Sequence, residues 1–185
     1  MRGRARGARL AGVLGLLLGL LPGTGPAADL AGTQWERIGR AHGLDPRLLY
    51  AVALLESGRS GAAGVTPWPW VVNTPGGPRY FESESEARAA LATLLTTHRP
   101  VDLDVGLMQV NLYWHGARVS SPAVLLDPVT NLELAAGVLA SALRSAPADP
   151  ALGAGRYHSW DPARARPFGE RALALARALA RGESP

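Results

Sequence analysis

Apolar residues recur at helical spacing in several stretches of the chain, and each stretch is bounded by residues that cap or break helices. Thr33 followed by Glu36 is a capping box, after which Trp35, Ile38 and Ala41 line one face until Gly43 offers a stop. Asp45 and Pro46 supply an N-cap and a first-turn proline, and Leu48, Leu49, Val52, Ala53 and Leu55 fill a second helix that runs into Gly58. Ser83 and Glu86 repeat the capping box before Ala87, Ala90, Leu91, Leu94 and Leu95, a third helix that ends near His98 and Pro100. Asp127 and Pro128 open another, with Leu132, Ala135, Ala136, Leu139, Ala142 and Leu143 on its inner face. A short segment covers 151–158, and after Asp161 and Pro162 the positions Phe168, Ala172, Leu175, Ala176 and Leu179 mark a terminal helix.

Between these helices the period disappears. From Ser60 to Tyr80 the chain is rich in Gly and Pro, with Trp68, Trp70 and Tyr80 clustered. Residues 70–73 and 79–81 are spaced to pair as a small hairpin, although Pro78 opposes regular pairing. A linker with Asp102 and Asp104 precedes the apolar run Gly106 to Asn111, and Leu112 to Pro122 reads as an aromatic stretch followed by loop. With no repeat and no dividing linker, the expectation is one mostly α-helical domain with a small irregular or β-hairpin lobe.

The first residues change the reading of charge. An Arg-rich start, an apolar run from Leu10 to Leu21 and a small, turn-prone stretch to Ala28 form the three-part pattern of a secretory signal peptide over 1–28. The run is shorter than the roughly 20 residues a spanning helix needs, so membrane contact is expected only transiently, through this segment. Of the 19 basic residues, all arginine, Arg2, Arg4, Arg6 and Arg9 lie in it. Residues 29–185 then carry as many basic as acidic side chains, and the high whole-chain pI says little about them. A neutral domain has no global field to gather nucleic acid, which is not expected as a partner. The chain has no cysteine, which excludes disulfides, thiol catalysis and thiolate zinc sites. Four scattered histidines without ligand spacing give no reason to expect a metal, and no cofactor is expected.

Glu56 is the anomaly of the second helix, because the stripe Leu49, Val52, Ala53 returns at Glu56 itself. Either the last turn rotates it to solvent, or it faces the interior. In the second case desolvation and the negative C-terminal end of its helix would raise its pKa, which suits a general acid. Gln109 and Asn111 sit two apart in an apolar stretch with Met108, either as amides capping nearby backbone or as contacts for a polar ligand. Tyr157 and His158 are equally readable as satisfied core residues.

Taken in order, Glu56-Ser57-Gly58, then Gly106-Leu107-Met108-Gln109-Val110-Asn111, then Tyr157-His158 resemble the three signatures of soluble-lytic-transglycosylase-like domains. The resemblance runs from about Trp35 to Leu179 and implies a lysozyme-like fold. It implies Glu56 as sole catalytic acid and base, and Ser57 as a group orienting it or the substrate N-acetyl group. Gly106, Met108, Gln109 and Asn111 would lie along the sugar, with Tyr157 approaching the glutamate. The third motif departs from the family's Ala-Tyr-Asn by having Arg156-Tyr157-His158, which leaves the role of His158 open. The long stretch 59–105 is similar to the subgroup that accompanies conjugation, integrating elements and specialised secretion systems, whose components would be partners alongside the glycan strands of peptidoglycan. The implied place of work is outside the inner membrane, in the periplasm.

The implied reaction cleaves the β-1,4 bond between N-acetylmuramic acid and N-acetylglucosamine without water, leaving a 1,6-anhydro end. Substrate assistance by the acetamido group removes the need for a second carboxylate. Trp68, Trp70 and Tyr80 are candidates for sugar stacking. Two other functions remain: a hydrolytic muramidase, with Asp102, Asp104 or Glu82 activating water, and a wall-binding assembly factor that holds glycan without turning it over.

Overall fold

The computed structural model describes residues 30–62 and 64–183; the expected signal segment lies outside them. Seven α-helices and six short strands are present among these residues: α1 Gln34–Ala41, α2 Pro46–Ser57, β1 Gly58–Gly61, β2 Gly64–Pro67, β3 Val71–Thr74, β4 Gly77–Tyr80, α3 Glu84–Thr97, β5 Asp104–Val105, β6 Val110–Asn111, α4 Leu112–His115, α5 Pro128–Arg144, α6 Pro150–Gly155 and α7 Pro162–Ala180. The molecule is thus mostly helical with two small antiparallel sheets, β1-β2 and β4-β3-β5-β6.

The caps read from the sequence are in place. Thr33, Asp45, Ser83 and Asp127 each accept a hydrogen bond from a main-chain N–H in the first turn of the helix that follows, and Asp161, read from the sequence only as a position before the terminal helix, does the same. In both capping boxes the glutamate reaches one residue beyond the cap: Glu36 accepts from the N–H of Gly32, and Glu86 from that of Glu82. The boxes therefore also fasten the chain leading into the helix.

The middle helix, α2, is buried on nearly every side, from Leu48 through Leu54 and again at Ser57. It packs against α1, α7 and β2. A helix apolar all round belongs in the interior, so its last turn has no solvent face to which Glu56 can rotate.

Residues 71–74 and 77–80 do pair, with Val71 opposite Tyr80 and Asn73 opposite Pro78. Pro78 is accommodated because β4 is the edge of its sheet, where a residue without an N–H is tolerated. Two features were not expected from the sequence: the β1-β2 hairpin, and the β5-β6 hairpin whose turn is 106–109. The aromatic stretch at 112–115 is the short helix α4, and the expected loop after it contains a 3-10 turn at 116–118 and runs into another at 122–126.

The most extensive helix contact joins α6 to α7. It is made backbone to backbone: a Cβ on Gly155 would fall 1.9 Å from the carbonyl oxygen of Ala165, and one on Gly169 1.8 Å from that of Ala151. This contact fixes the turn that carries Tyr157 and His158.

Candidate active site

A cleft of about 980 Å³ is lined by the four-stranded sheet, by the helices α4, α5 and α7 and by the turn between α6 and α7. Glu56 opens into it from the end of α2, with its side chain 14% exposed. Asp104, Gln109 and Asn111 line the sheet side, Tyr157 and His158 the helical side, and Asn73 and Tyr80 a further edge.

The three sequence motifs meet at the 106–109 turn. Its main-chain atoms are held by side chains from three separate elements. The Ser57 hydroxyl donates to the Leu107 carbonyl at 2.6 Å, and the Tyr157 hydroxyl to the Met108 carbonyl at 2.7 Å. From α5, Asn131 accepts from the Met108 N–H at 2.8 Å and donates to the carbonyls of Val105 and Leu125, each at 2.8 Å. Gln109 closes the turn by donating to the Gly106 carbonyl at 2.9 Å, and its φ of 48° places it in the left-handed region. Such a conformation costs a non-glycine residue energy and persists only where the surroundings impose it.

This arrangement separates two kinds of motif residue. Gly106 and Met108, expected along the sugar, and Ser57, expected to orient Glu56 or the substrate N-acetyl group, are buried and do not line the cleft. Ser57 braces the turn, and Met108 fills the core beneath it. Gly106 has φ 79°, and a Cβ there would lie 2.3 Å from the Leu125 carbonyl oxygen and 2.5 Å from the Asn131 amide nitrogen, so only glycine lets the turn sit against the 122–126 turn and the start of α5. Asn111 does line the cleft, but its amide is already engaged. It donates to the Val101 carbonyl and to Asp104, and it accepts from the N–H groups of Tyr113 and Trp114 as the cap of α4. Tyr157 points its hydroxyl at the Met108 carbonyl rather than at Glu56. Asn131 was not singled out from the sequence; the available signal was an amide in the first turn of α5, beside the buried Leu132.

The immediate neighbour of Glu56 is His158, whose Nδ1 lies 3.5 Å from Oε1. The imidazole is stacked on Phe168 of α7, centroids 4.7 Å apart and planes 3° from parallel, which sets the ring's orientation. Burial raises the Glu56 pKa above the usual glutamate value, the nearby Asp104 charge adds to the rise, and His158 works against both. His158 is raised in turn, chiefly by its bond to Glu56. Burial, followed by the charges of Glu56 and Asp104, pushes the Tyr157 phenol well above its ordinary value. The group is therefore a neutral hydroxyl donor.

The other carboxylates considered for water activation divide clearly. Asp102 is clasped by Arg99 at 2.8 and 2.9 Å, Glu82 is paired with Arg59 at 2.6 Å, and neither lines the cleft. Asp104 does line it, with one oxygen accepting from Asn73 at 3.3 Å and the other from Asn111 at 2.8 Å. Of the expected sugar-stacking aromatics only Tyr80 is on the cleft. Trp68 and Trp70 pack edge to face on each other in the β lobe, and the Trp68 indole donates to the Phe81 carbonyl. The aromatics that do line the cleft openly are Trp114 and Trp160, 70% and 68% exposed.

Among the described residues no group of three or more His, Cys, Asp or Glu side chains could hold a metal ion, and no helix is long and apolar enough to cross a membrane. Compared with protein-family models, curated proteins and solved structures, the chain finds no match.

Proposed function

We propose that the protein is a lytic transglycosylase of lysozyme-like architecture that cleaves the muramoyl β-1,4 bond of peptidoglycan. The observation that carries the reading is the Glu56 carboxyl, which opens from the buried end of α2 into the cleft 3.5 Å from His158, with burial raising its pKa. A carboxylic acid that stays protonated toward neutral pH can protonate a glycosidic oxygen as the C1–O4 bond breaks. The substrate's acetamido oxygen supports the developing positive charge at C1. The Glu56 carboxylate then takes the proton of the muramoyl 6-hydroxyl, whose oxygen closes onto C1. No water is consumed, and Glu56 ends protonated as it began.

His158 suits the second half of this cycle. As the carboxylate forms, an imidazolium 3.5 Å away stabilises it without being consumed. Export to the periplasm and local opening of the wall for an envelope-spanning apparatus complete the proposal.

A second reading rests on Asp104, the carboxylate that shares the cleft with Glu56 and raises its pKa. If Asp104 activates water, the enzyme is a hydrolytic muramidase. Mass analysis of fragments released from purified sacculi, with Glu56→Gln alongside, separates the possibilities. Anhydro-muramoyl ends from the wild type alone are the expected result. Reducing ends point to Asp104, and no fragments from a folded, wall-bound protein leaves a binding factor.

A further inference from the structure

The cleft is asymmetric in charge. On the wall formed by α2 and the sheet it presents the acids Glu56 and Asp104; on the opposite wall it presents Arg118, after α4, and Arg156 and Arg164, from the α6–α7 turn and the first turns of α7. None of these three arginines makes an ion pair among the described residues, although Arg166, two positions after Arg164, is paired with Asp149. The one further acid on this wall, Asp161, accepts from the Ala163 N–H as the cap of α7. His115 adds little positive charge, because burial and, after it, the Arg118 charge lower its pKa.

Arg156 is also preset. Its Nη1 donates to the Ser145 carbonyl at 2.7 Å and to the Ser145 hydroxyl at 2.9 Å, and its guanidinium lies 5.1 Å from the centroid of the exposed Trp160 ring. A guanidinium fixed before the ligand arrives loses little freedom on binding; with Nη1 given to Ser145 and Nε buried, Nη2 is the donor left for a carboxylate. Exposed tryptophans at both ends of this wall, Trp114 and Trp160, provide apolar faces beside the charges.

We propose that this wall is a subsite for the carboxylates of the peptide stem, so that the enzyme selects glycan strands still carrying acidic peptides. The inference rests on the peptidoglycan reading above and deepens it. The repeating sugars of the strand are neutral once the lactyl group is joined to peptide, so anionic charge on the substrate resides in the stem. Three guanidiniums without ion-pair partners among the described residues complement the charge of a stem extending from the sugar held at Glu56.

The test compares binding to soluble glycan strands with intact stems and to the same strands stripped of stem charge by conversion of the stem carboxylates to amides, using the full chain in a Glu56→Gln background so that the glycan is not consumed. The expected preference for intact over stripped material is about tenfold, the size of one well-formed charge-assisted contact. Arg118→Gln with Arg164→Gln abolishes that preference, and Arg118→Lys with Arg164→Lys retains much of it, which separates lost charge from lost folding. Equal binding to the two materials by the parent protein overturns the proposal, as does a preference that survives the double glutamine change. Failure of the enzymatic reading shows elsewhere, as an absence of anhydro ends from protein with Glu56 intact.

Discussion

The two walls of the cleft are built on opposite principles. The wall behind Glu56 is held by buried side chains bonded to main-chain atoms, with Ser57, Asn131 and Tyr157 all gripping one four-residue turn. The facing wall presents Trp114, Trp160, Arg118 and Arg164 to solvent. A group that satisfies buried polar atoms cannot be changed without cost to the fold, whereas an exposed ring or guanidinium can be lost with little structural penalty. Substitutions of the bracing groups Ser57, Asn131 and Tyr157 should lower stability and activity together; those on the second wall should lower binding alone.

The largest effect expected is that of Glu56→Gln, which removes the acid and should reduce release of anhydro fragments by about a thousandfold or more. It also tests the inner wall's energetics. A folded-state pKa raised above the ordinary 4.5 means that the folded protein retains a proton the unfolded chain releases. That contribution is fully present below the unfolded value and is lost as pH rises through the folded one. The variant should therefore melt with the wild type at pH 3 and above it at pH 8; a gap independent of pH would contradict the burial of this carboxyl.

Next in size is Asn131→Leu, which leaves the Met108 N–H and the Val105 and Leu125 carbonyls without their partner. A loss of about 3 kcal/mol in denaturant unfolding is expected, and a loss under 0.5 kcal/mol would dissolve the contrast between the walls. His158→Gln removes the group that lowers the Glu56 pKa, so Glu56 should hold its proton to higher pH and the alkaline limb of the pH–rate profile should move upward. A profile that only scales down would show His158 acting through packing on Phe168. Smallest is the pair Trp114→Ala and Trp160→Ala, expected to weaken binding to glycan strands by about 1 kcal/mol with the unfolding midpoint unchanged. A drop in midpoint would move these rings from the binding wall into the supporting structure.

The contrast also explains what was legible beforehand. Helices announced by a cap and a 3.6-residue stripe, such as those after Thr33, Asp45, Ser83 and Asp127, are specified within a few neighbouring residues, and they form where the sequence places them. The β1-β2 and β5-β6 hairpins are short, rich in glycine or polar residues, and depend on what lies behind them, so their period is too brief to read. At the site, the three motifs come together around one turn, but the sequence did not distinguish residues that face the cleft from those that brace it. Glu56 and Ser57 are adjacent in sequence, yet one opens into the cleft and the other is sealed behind it. Aromatics were the least readable: nothing local tells Trp68, packed against Trp70, from Trp160, left open to solvent.

The glycine contact between α6 and α7 sets a limit on how this protein could be retuned. With a methyl group at Gly155 or Gly169 falling within 2 Å of a carbonyl oxygen, the jaw bearing Arg156, His158 and Trp160 has no slack to absorb insertions or larger side chains at its root. The other jaw of the same wall, the short turns at 116–126 that follow Trp114, is a connecting segment largely open at its tip. Selection or engineering for a new wall chemistry would have one adjustable jaw and one fixed one, and variation should accumulate around Arg118 long before it reaches Arg156.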